Sequence, residues 1–283
     1  MTNFTEDLGD RFFLWQNGER VSTFTLSPTH DRLRSGLWLG DGVFETLLFE
    51  GGSYFALDRH LARLQAAERK IGIYQEEIFD RKSELIGAGL ESAKLWLKDH
   101  VGQVRITSLS DDQIFLTARI HQIPTNLLKV GIYPFTVNES SNLSGVKSIS
   151  YGENVQALRY AKERELDDLL FLNSKGEVVE SALANLIAFD GENWVTPTLS
   201  SGALAGINRE LLIEFFQLEP VALTLSDLFA MKELALISSL RDIQGISQLQ
   251  AISPFQDVAY KTLSEVGKLN SNFQTWRRRN SNP

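Results

Sequence analysis

Hydrophobic and polar positions follow two periods along this chain, and they come in blocks rather than in strict alternation. Residues 11–26 predict two short strands around Asn17-Gly18, a dipeptide suited to a tight hairpin turn. Gly40-Asp41-Gly42 leads into the apolar run Val43-Phe44-Glu45-Thr46-Leu47-Leu48-Phe49, and Gly51-Gly52 turns the chain back towards Tyr54-Phe55 as a second hairpin. Leu61, Leu64, Ala67 and Ile71 then recur at helical spacing, with Asp58 as the expected cap and Gly72 as the stop. A further helix is expected over residues 77–98, and strands over 103–108 and 113–120.

His121-Gln122-Ile123-Pro124-Thr125-Asn126 breaks both periods. It reads as a linker, residues 121–126, between a smaller N-terminal α/β domain, 1–120, and a larger C-terminal domain, 127–283. Beyond it the pattern predicts strands near 129–136 and 146–151, a helix near 153–166, and strands near 168–173, 177–180 and 184–189. The stretch from Pro197 to Asn208 is a small-residue loop opening onto a helix, Arg209 to Phe216, and a strand over 234–238 is followed by a short tail. The basic end, Trp276 to Pro283, reads as a frayed terminus. Strands grouped with strands and covered by helices give an α+β (mixed α/β) fold in two domains.

Composition narrows the chemistry. Against 28 Lys and Arg stand 36 Asp and Glu in 283 residues, a formal charge of −8, so neither nucleic acid nor an anionic membrane surface is an expected partner. The absence of cysteine excludes disulfides, Cys-ligated metals and thiol catalysis. Four histidines, His30, His60, His100 and His121, lack any paired spacing, and no metal site is expected. The first residues place acids before a short apolar patch, unlike a signal peptide. Apolar stretches such as Leu183 to Phe189 are too short to cross a bilayer. The expectation is a cytoplasmic protein acting on a small molecule.

Three features can carry chemistry. If 146–151 is a strand, Lys147, Ile149 and Tyr151 share a face. Lys147 then reads either as an edge lysine facing water or as a desolvated amine able to form a Schiff base. Glu180 ends an apolar strand before a run of small residues, and reads either as a solvent-facing turn residue or as a carboxylate aimed at the ring nitrogen of a flat ligand. The loop Ser200-Ser201-Gly202 to Gly206-Ile207-Asn208 precedes a helix, where unpaired N–H groups and the helix dipole suit a phosphate. Arg63 can add a fork donor, and the Ser238-Ser239 strand end a hydroxyl.

Together these stretches resemble the class IV aminotransferases, the fold-type IV enzymes of pyridoxal 5'-phosphate. That group includes branched-chain and D-amino-acid aminotransferases and aminodeoxychorismate lyases. The likeness rests on Gly40 to Thr46 with Leu57 to Leu64, Lys147 to Tyr151, Glu180 to Asn185, and Thr196 to Arg209. It implies that Lys147 is the cofactor lysine and that Glu180 holds the pyridine nitrogen. It implies that Arg63, the backbone of Ile207 and Asn208, and Ser239 bind the phosphate, and that Tyr151 contacts the ring hydroxyl. Arg105 maps to a position near the substrate carboxylate. A homodimer acting on a small-molecule amine is implied as well. Asn208 departs from the threonine usual in the family, Leu39 from a common aromatic, and Arg34-Ser35-Gly36 from Asp-Arg-Gly. The segment after Arg105 lacks the longer loop that often covers the substrate.

Within the family, Thr46 after Phe44-Glu45 resembles the lyases, where a hydroxyl assists proton transfer. Ser239-Leu240-Arg241-Asp242-Ile243 is similar to a stretch found in many lyases. The expectation is therefore a 4-amino-4-deoxychorismate lyase, with an aminotransferase for branched-chain L- or for D-amino acids as the alternative.

Overall fold

The computed structural model describes residues 13–16, 19–20, 36–110 and 112–280. The turn expected at Asn17-Gly18 and the residues Arg34 and Ser35 lie outside them. The chain divides into two compact units, one running to Gln122 and including Lys147–Ser150, the other made of Ile123–Val146 and Tyr151–Asn280.

The first unit holds β1 (Phe13–Gln16), β2 (Glu19–Arg20), α1 (Gly36–Leu39), β3 (Gly42–Glu50), β4 (Ser53–Tyr54), α2 (Leu57–Ile71), α3 (Phe79–Leu97), β5 (Gly102–Leu109) and β6 (Ile114–Ile120). Its strands form one antiparallel sheet in the order β2-β1-β6-β5-β3-β4. Strand β3 is apolar because both of its faces are covered, and Val43, Leu47, Leu48 and Phe49 are fully buried. Helix α2 ends at Gly72 in the left-handed region, as its sequence predicts. Its start differs from expectation. Ala56, at φ 52°, is the cap residue, and Asp58 lies inside the first turn, where its charge complements the helix dipole. Its buried residues are His60, Leu64 and Glu68, so two of the three are polar.

In the second unit are β7 (Leu128–Val137), α4 (Gly152–Glu163), β8 (Asp168–Asn173), β9 (Val178–Ser181), β10 (Asn185–Phe189), β11 (Trp194–Pro197), α5 (Ile207–Phe216), β12 (Glu219–Val221), α6 (Leu225–Ala230), β13 (Glu233–Ser238), β14 (Asp242–Leu249), β15 (Val258–Ala259) and α7 (Ser264–Arg279). The sheet order is β12-β11-β10-β13-β14-β7-β8-β9, with β15 on β14. Strands β14, β7 and β8 are parallel neighbours, and α4 makes the crossover between β7 and β8. One side of the core is built from Leu128, Val130, Leu186, Leu236 and Ile246, and another packs Tyr133, Leu169 and Phe171 around Ala157 and Ala161 of α4.

Two expectations are corrected here. Residues 146–151 are not a strand: they carry an isolated bridge, Ser148 with Val43, before Tyr151 caps α4. Trp276 to Arg279 also do not belong to a frayed tail but to helix α7, while residues 281–283 lie outside the described residues. Val266, Leu269, Phe273 and Arg277 line the buried face of α7, and the Arg277 guanidinium meets Asp242 at 3.1 and 3.2 Å with both side chains buried. Strands β11, β12, β14 and β15 and helix α6 were also not expected. Among the described residues no helix is long and apolar enough to cross a membrane, and no cluster of His, Asp and Glu suits a metal.

Candidate active site

In the first unit Lys147 is placed by backbone pairing rather than by a strand of its own. Strand β4 pairs only with the far end of β3, at Phe49 and Glu50. Beside the near end, Lys147 accepts the Phe44 N–H at 2.8 Å and Ile149 donates to Gly42 at 3.0 Å. Lys147 thus faces Phe44 across the ladder, and its Nζ stands 4.5 Å from the Phe44 ring centroid. The Arg105 guanidinium lies 3.6 Å from the same centroid and donates through Nε to Thr107 Oγ1 at 3.2 Å. Thr46 is the direct cross-strand partner of Arg105 in the register of β3 and β5. Directly opposed residues share a face with Cβ atoms about 5 Å apart, so one face carries Lys147, Phe44, Thr46 and Arg105.

Glu45, the residue between Phe44 and Thr46, points to the opposite face, where α2 packs. It is 1% exposed and accepts from Arg63 Nε and Nη2, each at 2.7 Å, and from His60 Nδ1 at 2.7 Å. An ionised carboxylate only accepts, so the proton of that third bond sits on Nδ1. Burial by itself would raise the Glu45 pKa; the charge and hydrogen bonds of Arg63, aided by His60, bring it down to about 2. Burial lowers the pKa of His60 and keeps its ring neutral, against the opposing pull of Glu45.

In the second unit Glu180, on β9, accepts from Asn185 Nδ2 at 2.8 Å and from the Leu204 N–H at 3.2 Å. Asn185 Nδ2 also donates to the Leu204 carbonyl at 2.9 Å. A Cβ on Gly206 would land on Asn185 Oδ1, so only glycine fits there. Gly206 is in turn the cap residue of α5. Ile207 and Asn208 are therefore the first two helical residues, whose N–H groups have no partner within the helix. Asn208 Nδ2 donates to the Ser238 carbonyl at 2.9 Å, which brings this helix end against the Ser238–Arg241 turn that contains Ser239. That bond fixes the amide orientation. Asn208 Oδ1 is buried and has no hydrogen-bond partner among the described residues. Tyr151 donates its hydroxyl to the Ala182 carbonyl at 2.8 Å, just beyond Glu180 in the chain.

The unit also buries Asp168 behind this group. Its carboxylate accepts from Ser181 Oγ at 2.9 Å and from the N–H groups of Leu169 and Ala182, with Arg241 at 3.9 Å. Burial raises its pKa in spite of these partners.

Of the residues expected from sequence, Lys147, Thr46 and Arg105 share one face in the first unit, with Arg63 on α2. In the second, Glu180 on β9, Tyr151 at the start of α4, Ile207 and Asn208 at the start of α5, and the turn with Ser239 are linked by hydrogen bonds through Leu204, Ala182 and Ser238. Sequence reasoning did not single out Glu45, His60, Asn185 or Asp168. A carboxylate in the middle of an apolar run was the available sign for Glu45.

Comparison with known proteins places the chain in a family. A family model described as amino-transferase class IV matches residues 42–249. The aminodeoxychorismate lyase of Bacillus subtilis is 30% identical over 196 residues, covering 63% of this chain and 66% of that protein. The aminodeoxychorismate lyase of Vibrio harveyi is 24% identical over 261 residues, 84% of this chain and 91% of that one. The crystal structure of a branched-chain aminotransferase from the archaeon Thermoproteus uzoniensis, with norvaline, shares the fold at a TM-score of 0.79 and 20% identity over 94% of each chain.

Proposed function

The chain belongs to the class IV amino-transferase family of pyridoxal 5'-phosphate enzymes, and from that membership we propose that it is a 4-amino-4-deoxychorismate lyase, releasing pyruvate and p-aminobenzoate. The observation that carries the choice of reaction is the pairing of Thr46 with Arg105 on the face that bears Lys147. It sets a hydroxyl beside the guanidinium assigned to the substrate carboxylate.

The residues fit the cofactor. Glu180 offers an anchored carboxylate to a ring nitrogen. The first turn of α5 offers unpaired N–H groups and the positive end of the helix dipole to a phosphate. Arg63, the backbone of Ile207 and Asn208, and Ser239 would hold the phosphate, Tyr151 would contact the ring hydroxyl, and Lys147 would supply the amine of attachment. When bound, the cofactor's protonated ring supplies an electron sink for negative charge on the carbon next to the substrate amine.

Glu180 favours that protonated ring by accepting its N–H, while Asn185 and Leu204 keep the carboxylate aimed. Arg105 holds the substrate carboxylate. Lys147 Nζ would take the proton from the substrate carbon that bears the amine. The enolpyruvyl group then leaves, is protonated to pyruvate, and the substrate ring becomes aromatic. The Thr46 hydroxyl assists this proton transfer. Transamination of branched-chain L- or of D-amino acids, the alternative, uses the same groups but requires a keto acid acceptor. The same reading makes the enzyme a cytoplasmic homodimer in folate synthesis.

The attachment is tested by reducing the cofactor-loaded protein with borohydride and mapping the labelled peptide. Label on Lys147 is the expected result, and label on another lysine overturns the assignment.

A further inference from the structure

We propose that Glu45 is a positioning residue that, with His60, fixes the Arg63 guanidinium in the orientation that receives the cofactor's phosphate. The proposal rests on the phosphate-binding role of Arg63 given above. It is carried by geometry. Glu45 engages Arg63 side-on, through Nε and Nη2 at 2.7 Å each. A guanidinium is planar and rigid, so a side-on fork sets the direction of the whole group, and the Nη1 edge turns away from Glu45. Glu45 is itself held, because His60 Nδ1 donates to the same Oε2 that Nη2 uses.

The cluster is graded from inside outwards. His60 and Glu45 are 0% and 1% exposed, whereas the Arg63 side chain is 14% exposed. Two buried members thus brace a third that reaches the surface of its unit. Residues 60 and 63 stand three apart on α2, so both face the β3 position that carries Glu45. A flexible arginine would lose side-chain entropy on capturing a phosphate; here that loss is already met in the fold. A carboxylate beside the arginine also competes with phosphate for its charge, so net benefit requires orientation to outweigh competition. That balance makes the proposal testable in sign.

The test compares two ligands on the full chain, stripped of cofactor and retitrated: pyridoxal 5'-phosphate, and 5'-deoxypyridoxal, which keeps the aldehyde and ring but has no phosphate. Glu45→Gln is expected to weaken pyridoxal 5'-phosphate binding by about tenfold or more, the scale of one charge-assisted hydrogen bond, and to leave 5'-deoxypyridoxal within about twofold. Glu45→Asp keeps the charge and withdraws the carboxylate by one methylene, and it gives the same selective loss. It also serves if the glutamine variant does not fold. Equal loss for both ligands makes Glu45 merely structural and overturns the proposal; so does unchanged affinity for both. Tighter phosphate-ester binding overturns it as well, by showing that competition wins. Arg63→Lys separates the premise from the inference. If it shows no phosphate-selective loss, Arg63 does not hold the phosphate and the reading beneath the proposal fails. If it shows that loss and Glu45→Gln does not, the reading stands and the positioning role falls.

Discussion

Asn185 reaches Glu180 Oε2 from its Nδ2 at 2.8 Å, and through the same nitrogen it reaches Leu204 at 2.9 Å. One buried amide therefore couples the carboxylate assigned to the ring nitrogen with the loop that opens α5. Gly206 completes the coupling, since any side chain there displaces Asn185.

Asn185→Leu preserves bulk and removes this link. Glu180 keeps the Leu204 N–H but loses the Asn185 amide, and turnover is expected to fall by roughly tenfold, the scale of one charge-assisted hydrogen bond. The thermal midpoint shifts less than in Gly206→Ala, where overpacking costs about 1–3 kcal/mol. Steady-state kinetics together with thermal unfolding separate the two effects.

Thr46→Val removes a hydroxyl at nearly constant volume. On aminodeoxychorismate, turnover is expected to fall by about a hundredfold, in the range of general acid–base contributions. Cofactor affinity stays unchanged, and Thr46→Ser restores most of the rate. An unaltered rate in the valine variant removes Thr46 from the mechanism.

Arg277→Leu leaves Asp242 buried opposite an apolar side chain. Breaking a buried pair from one side costs about 3 kcal/mol or more, because Asp242 has lost the Arg277 guanidinium. Gln274, 3.3 Å from Asp242, offers only a neutral donor in return. Urea unfolding is expected to show a lowered midpoint, and the double variant Arg277→Leu with Asp242→Leu recovers part of the loss.

These sites show where the sequence could be read and where it could not. Strand β8 and the neighbouring β9 and β10 are legible because short apolar runs stand between turn residues. Helix α7 is not, because a polar stretch with Val266, Leu269 and Phe273 as its apolar contacts resembles a tail until Asp242 is seen waiting for Arg277. Lys147 stands out through the face it would share with Tyr151 on an expected strand and through the family resemblance, yet that strand does not exist; pairing with β3 places it instead. Glu45 was passed over because its partners come from another element, and tertiary pairing leaves no local period.

Acid sensitivity isolates the Glu45 cluster. Its folded pKa, about 2, lies below the ordinary 4.5, so the unfolded chain takes up the proton first as pH falls. The stabilisation is fully present above about pH 4.5 and is lost as pH falls towards 2. Measured as the difference in unfolding free energy between the wild type and Glu45→Gln, it is expected to shrink by up to about 3 kcal/mol across that window. A constant difference contradicts the assigned ionisation.

The most direct test of the proposed reaction is to mix cofactor-loaded protein with aminodeoxychorismate, omit any keto acid, and follow p-aminobenzoate. Release sustained over many turnovers, with one pyruvate for each p-aminobenzoate, is the predicted result. No release from protein whose cofactor is intact on Lys147 contradicts the lyase, and activity that appears only when a keto acid is supplied with an amino acid identifies a transaminase.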